Sequence, residues 1–128
     1  MIMFIKIELN SDTPIYMQIY DEIVKAIASG DLKEGTVLPS ARKLAANLGI
    51  NFHTVNKAYN LLREHGFLLL NRKKEFVVQR SRDEKFMEKL MDQELKLFEE
   101  AIAKGFTEKE ILNMLQNVLK RQKKSEEL

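Results

Sequence analysis

Leu38–Leu68 reads LPSARKLAANLGINFHTVNKAYNLLREHGFL, and its punctuation decides the fold. Pro39 keeps the chain extended just ahead of Ser40, whose hydroxyl can accept the free amide protons of an opening helical turn. Ala41, Leu44, Ala45 and Leu48 recur at helical spacing, so one face of a short helix is buried while Arg42, Lys43 and Asn47 point outward. Gly49 supplies the left-handed exit. Asn51 then caps a second helix, whose inner stripe is Val55, Ala58, Tyr59 and Leu62 and which stops at Gly66. Two short helices joined by a Gly turn have the layout of a helix-turn-helix DNA reader.

The outer stripe of the second helix is Phe52, His53, Asn56, Lys57 and Asn60, with no acidic residue before Glu64. A solvated helix normally mixes signs. This surface instead combines hydrogen-bonding groups that reach base edges with a cation suited to phosphate. Past Gly66 the period changes. Phe67–Leu70 is apolar, residues 71–75 are polar and Phe76–Val78 is apolar again, which predicts a hairpin with Arg72, Lys73 and Lys74 at its tip. In isolation such a tip is most simply a solvated turn; behind a helix-turn-helix it becomes a wing that follows the phosphate backbone or dips into a minor groove.

Toward the N-terminus, MIMFIKIEL is too short to span a bilayer, contains Lys6 and Glu8 and lacks a cleavage pattern, so neither a signal peptide nor an anchor is expected. It is predicted to be a short strand covering the domain. A helix should follow with Thr13 as cap and Pro14 in its first position, aligning Ile15, Ile19, Ile23 and Ile27 on one face beneath the reader.

Beyond the hairpin, a helix is predicted from about residue 83 to 103, with Met87, Met91, Phe98 and Ile102 in one line and Phe86, Leu90 and Leu97 beside it. Thr107 and Glu110 have the spacing of a capping box opening a last helix, which carries Ile111, Leu112, Leu115, Val118 and Leu119. The charged run from Arg121 is expected to fray. Two isolated helices cannot hide stripes this wide, and pairing with the same helices of a second subunit is their natural outlet. The fold expected is α+β: a winged helix-turn-helix domain over residues 1–80, then a two-helix dimerisation region over 81–128.

Charge follows the same division. The net charge of the 128 residues is only +2. Residues 40–80 nevertheless hold eight Lys or Arg against two Glu, a balance of +6, while the remainder is near neutral or acidic. The positive charge therefore sits where a DNA reader needs it.

LPSARKLAANLGINFHTV followed by NKAYNLLREHGFL resembles the winged helix-turn-helix of the GntR family of transcription regulators, and the upstream run from Pro14 through Gly30 to Gly35 is similar to that family's first helix and connection. The likeness covers roughly residues 10–80, and the short remainder is similar to the YtrA-type branch, in which a two-helix tail pairs subunits. By position, the resemblance implies DNA contacts at Ser40 and Arg42, with Lys43 alongside; at Asn51, Phe52, His53, Thr54, Asn56 and Lys57; and at Arg72, Lys73 and Lys74 of the wing. Two departures stand out. Where the family often has Arg directly after the Asn cap, this chain has Phe52, which cannot form a bidentate bond to guanine but can touch a thymine methyl. The wing tip, with Lys73, Lys74 and Glu75, lacks the usual Gly pair.

Other chemistries find little support. No Cys is present, so there is neither a disulfide framework nor a thiolate nucleophile, a composition compatible with a reducing cytoplasm. His53 and His65 have no second metal ligand nearby, so no metal or other cofactor is expected. No Gly-rich phosphate loop or Ser–His–carboxylate spacing marks an enzyme. The six Met residues are most simply adaptable apolar filler. The expected function is a homodimeric regulator of transcription, most simply a repressor, that binds double-stranded DNA at a pseudo-palindromic operator, with no membrane partner. The branch implies transporter operons as frequent targets, and a small-molecule effector would find room only at the subunit junction. The competing reading is a winged helix used for protein contacts, with an incidental basic surface. Ionic strength separates the two, because each phosphate contact releases counterions while an apolar interface responds little to salt.

Overall fold

The computed structural model describes residues 5–122, which form two compact units, one ending at Arg80 and one beginning at Ser81. The first unit contains α1 (Ile15–Ser29), α2 (Ala41–Leu48), α3 (Phe52–Glu64), β1 (Leu68–Leu70) and β2 (Phe76–Val78). The second contains α4 (Lys85–Ala103) and α5 (Glu108–Gln122).

In the first unit, helix periodicity translates directly into burial. Ile19, Ile23 and Ile27 of α1, Leu44 and Ala45 of α2, and Val55, Ala58, Tyr59 and Leu62 of α3 form one core with Leu32, Leu38, Leu68 and Val78. Tyr59 is the one residue in it that carries a polar side-chain atom. Its hydroxyl donates to the Pro39 carbonyl at 2.9 Å, and its ring meets Phe76 edge-on at a centroid distance of 5.0 Å. One side chain thereby joins α3, the approach to α2 and the wing. Burial pushes its phenol well above the ordinary tyrosine range.

An unfolded Tyr59 ionises near pH 10 whereas the folded one stays neutral, so folding stability is undiminished below about pH 10 and falls as pH rises beyond it. Tyr59→Phe should remove that alkaline sensitivity. At neutral pH it should cost about 1 kcal/mol for the lost hydrogen bond. Urea melts at neutral and alkaline pH check both halves of this expectation.

The hairpin pairs Leu68 with Val78, Leu69 with Val77 and Leu70 with Phe76, antiparallel. The approach to α2 is stitched to it. Val37 bridges Val77, the Val78 N–H donates to the Thr36 carbonyl at 2.9 Å, and the Leu38 N–H donates to the Phe76 carbonyl at 2.9 Å. The wing thus has a third, partial strand that sequence alternation did not indicate.

Two expectations for the N-terminal region require correction. Residues 5–9 carry no strand, and Met1–Phe4 lie outside the described residues. The segment is held by other means: Ile5 is buried, and the Gln18 amide accepts from the Glu8 N–H at 2.8 Å while donating to the Glu8 and Thr13 carbonyls. Helix α1 is also capped differently, because Pro14 is the capping residue and the Thr13 side chain makes no capping bond. The ring fixes the extended conformation there, and the Pro14 carbonyl receives the N–H groups of Met17 and Gln18.

In the second unit, α4 starts at Lys85, slightly later than expected, where the Asp83 carboxylate accepts the Lys85 N–H. The capping box of α5 is formed: the Glu110 N–H donates to the Thr107 hydroxyl at 3.2 Å, and the Thr107 N–H to the Glu110 carboxylate at 2.9 Å. Neither helix has a buried residue. The expected fraying falls largely on residues 123–128, outside the described residues.

Candidate nucleic-acid interface

Local hydrogen bonds aim the candidate DNA-contacting side chains. The Ser40 hydroxyl accepts the Lys43 N–H at 3.1 Å and starts α2. Arg42 and Lys43 follow in the first turn, both exposed. Gly49, at φ 70°, closes α2, and the Asn51 side chain accepts the His53 N–H at 2.8 Å to start α3. The first turns of the two helices therefore hold Ser40, Arg42, Lys43, Asn51, His53 and Thr54 between them. One turn further along α3, Asn56 lies half-buried on the flank of the buried stripe and Lys57 stands exposed opposite it.

Ring contacts modify this surface in ways that helical periodicity does not reveal. Phe52 is half-buried and packs against the core, with the Arg42 guanidinium 4.0 Å from its ring centroid and the His53 ring 4.1 Å from it. The Lys57 ammonium lies 3.9 Å above the Tyr16 ring of α1. Both cations therefore rest on aromatic faces while their N–H donors can still meet a phosphate or a base edge. Among the described residues the one ion pair within 4.0 Å joins Arg82 to Glu84, so no carboxylate neutralises Arg42, Lys43 or Lys57.

The wing tip is organised by Asn71. Its side-chain oxygen accepts the N–H groups of Lys73 and Glu75, and its amide donates to the Glu75 carboxylate at 3.1 Å. Arg72, Lys73 and Lys74 are all exposed. In the absence of the Gly pair, Lys74 takes the left-handed conformation at φ 66°, the one non-Gly residue among those described to do so. Lys74→Gly should relieve that strain and stabilise the domain by about 0.5–1 kcal/mol, a rise of a few degrees in Tm. The same change should weaken DNA binding, because a cation is lost. A thermal melt and a binding isotherm on one preparation read the two opposing effects.

A second ring cluster lies at the far end of α3. The Tyr20 hydroxyl and His65 Nδ1 are 2.7 Å apart, and Phe67 meets Tyr20 edge-on. Burial, with a smaller contribution from Asp21, raises the Tyr20 phenol above its usual range. Among the described residues no three His, Cys, Asp or Glu side chains converge to hold a metal, and no helix is long and apolar enough to cross a membrane.

This arrangement of capped helices and wing coincides with a known sequence pattern: residues 15–78 match the bacterial regulatory proteins of the gntR family. The chain belongs to the GntR family. Within it, the chain is 41% identical over 64 residues to the HTH-type transcriptional repressor YtrA of Bacillus subtilis, covering 50% of this chain and 49% of that protein. It thus spans about half the length of that relative. The structure of YtrA from Sulfolobus acidocaldarius, a GntR-family transcription factor, is 44% identical and superposes with a TM-score of 0.62, covering 72% of this chain and 97% of the other. A transcriptional regulator from Oenococcus oeni superposes with the same TM-score at 25% identity, covering 91% and 99%. The chain thus carries the α+β winged helix-turn-helix of the GntR-family transcription regulators, followed by a helical region.

Sequence reasoning missed the roles of Tyr59 and Tyr16 beside this site. Helical spacing marks Tyr59 as buried but does not locate a carbonyl for its hydroxyl. Nothing local signals that Tyr16 lies under Lys57.

Proposed function

We propose that the chain is a homodimeric repressor that inserts two copies of α3 into successive major grooves of a pseudo-palindromic operator, with the wings on the flanking backbone. The observation that carries this reading is that the exposed cations of α2 (Arg42 and Lys43), of α3 (Lys57) and of the wing tip (Arg72, Lys73 and Lys74) form no ion pair among the described residues, on a chain of this family. Ser40, Arg42, Lys43 and Arg72–Lys74 position the protein on phosphates; Asn51, His53, Thr54 and Asn56 face base edges; Lys57 adds charge.

Pairing through α4 and α5 is supported by the absence of any buried residue in either helix while Met87, Met91 and Ile102 stand more than 60% exposed. At about 25 cal/mol per Å² of apolar surface removed from water, a second copy is a strong outlet for that surface. The Bacillus subtilis relative is named a repressor, and occupation of a promoter is the simplest way to act as one. Control of a transporter operon in the cytoplasm, with an effector bound at the subunit junction and biasing the spacing of the two readers, completes the reading.

The decisive experiment is selection of bound fragments from random and genomic double-stranded DNA with the purified chain. Recovery of two inverted half-sites about one helical turn apart, with affinity falling steeply as salt rises, is the expected result. Recovery of no common site, together with a single-subunit mass in ultracentrifugation, would refute it.

A further inference from the structure

The aromatic residue that directly follows the α3 cap is placed oddly for a base contact. Phe52 is half-buried, and its ring lies against the core, against the Arg42 guanidinium at 4.0 Å and against His53 at 4.1 Å. The contact with Arg42 crosses from α3 to α2, spanning the turn at Gly49. No hydrogen bond or ion pair among the described residues uses the Arg42 guanidinium, so its N–H groups remain available to an oxygen or a guanine edge while the ring supports the cation. An exposed arginine without such a support would sample many rotamers and lose that freedom on binding.

The geometry points to Phe52 as a positioning residue: it holds Arg42, and beside it His53, in a binding-ready arrangement and does not itself read a base. This rests on the proposal that the α2 and α3 surface meets DNA, and it leaves base reading to the neighbours of Phe52, whose own side chain carries no hydrogen-bonding group.

The test uses the full chain and the tightest fragment recovered from random double-stranded DNA. Phe52→Leu keeps apolar bulk but removes the π face; it should weaken binding roughly three- to tenfold, and that loss should largely vanish in an Arg42→Ala background. Phe52→Tyr, which keeps the ring, should recover binding to within about twofold of the parent. Replacing each thymine of the fragment by deoxyuridine should affect the parent and Phe52→Leu alike. Additive losses in the double variant, or a deoxyuridine effect present in the parent and absent in Phe52→Leu, would overturn the assignment, the latter by showing direct methyl contact.

A DNA-free measurement covers the case in which Phe52→Leu folds poorly. In the NMR spectrum of the parent, the Arg42 Nε–H resonance should be displaced upfield by the ring current of Phe52; an undisplaced resonance would also overturn it. If the parent binds no DNA while the resonance is displaced, the DNA reading fails and the positioning contact stands.

Discussion

Changing Met87 and Met91 together to Glu is expected to leave a monomer whose affinity for its operator is at least about a hundredfold below that of the parent, because the second half-site no longer binds as part of the same molecule. The two side chains stand 62% and 69% exposed on α4, so their replacement removes nothing that the described fold of their own unit depends on. On the proposed homodimer they fall in the apolar seam, where charged groups must be desolvated. Sedimentation velocity reads the loss of mass and a gel shift the loss of affinity. A double variant that still sediments as a dimer would move the subunit contact elsewhere.

The second large effect is expected from Arg42→Ala. Arg42 is exposed at the start of α2 and Ala is at least as good a helix former, so the thermal midpoint should fall by no more than the few degrees that its contact with the Phe52 ring is worth. Operator binding should nevertheless weaken by at least about 30-fold, because a contact worth about 1–3 kcal/mol is lost from each of the two protomers. The salt dependence identifies the contact. A log–log slope shallower by roughly 0.9 per protomer marks a phosphate, and an unchanged slope with relaxed base preference marks a guanine. His53→Ala and Asn56→Ala should change base preference; unchanged affinity in all three variants would refute the assignment of this surface.

The parts of this architecture legible in the sequence are those governed by local chemistry. Ser40, Asn51 and the Thr107–Glu110 pair cap their helices because each oxygen reaches an N–H only a few residues away, and Gly49 ends α2 because its backbone must turn left-handed. The inner stripe of α3 is likewise set by its own spacing. The features that escaped depend on partners far along the chain. Val37 joins the wing through Val77, Gln18 clamps the segment ahead of α1, and Tyr59 reaches Pro39. Phe52 counts as outward by periodicity, yet its ring is half-buried against the core with a guanidinium from another helix beside it. Periodicity locates a Cβ and leaves open where a long side chain folds back.

The ladder that ties residues 36–38 to β2 runs through main-chain atoms and leads straight into the Ser40 cap. The angle between the wing and α2 is accordingly set by groups that every non-proline amino acid carries. Retargeting such a regulator to a new promoter would then be a matter of exchanging projecting side chains, one at a time, on a chassis that need not be re-engineered.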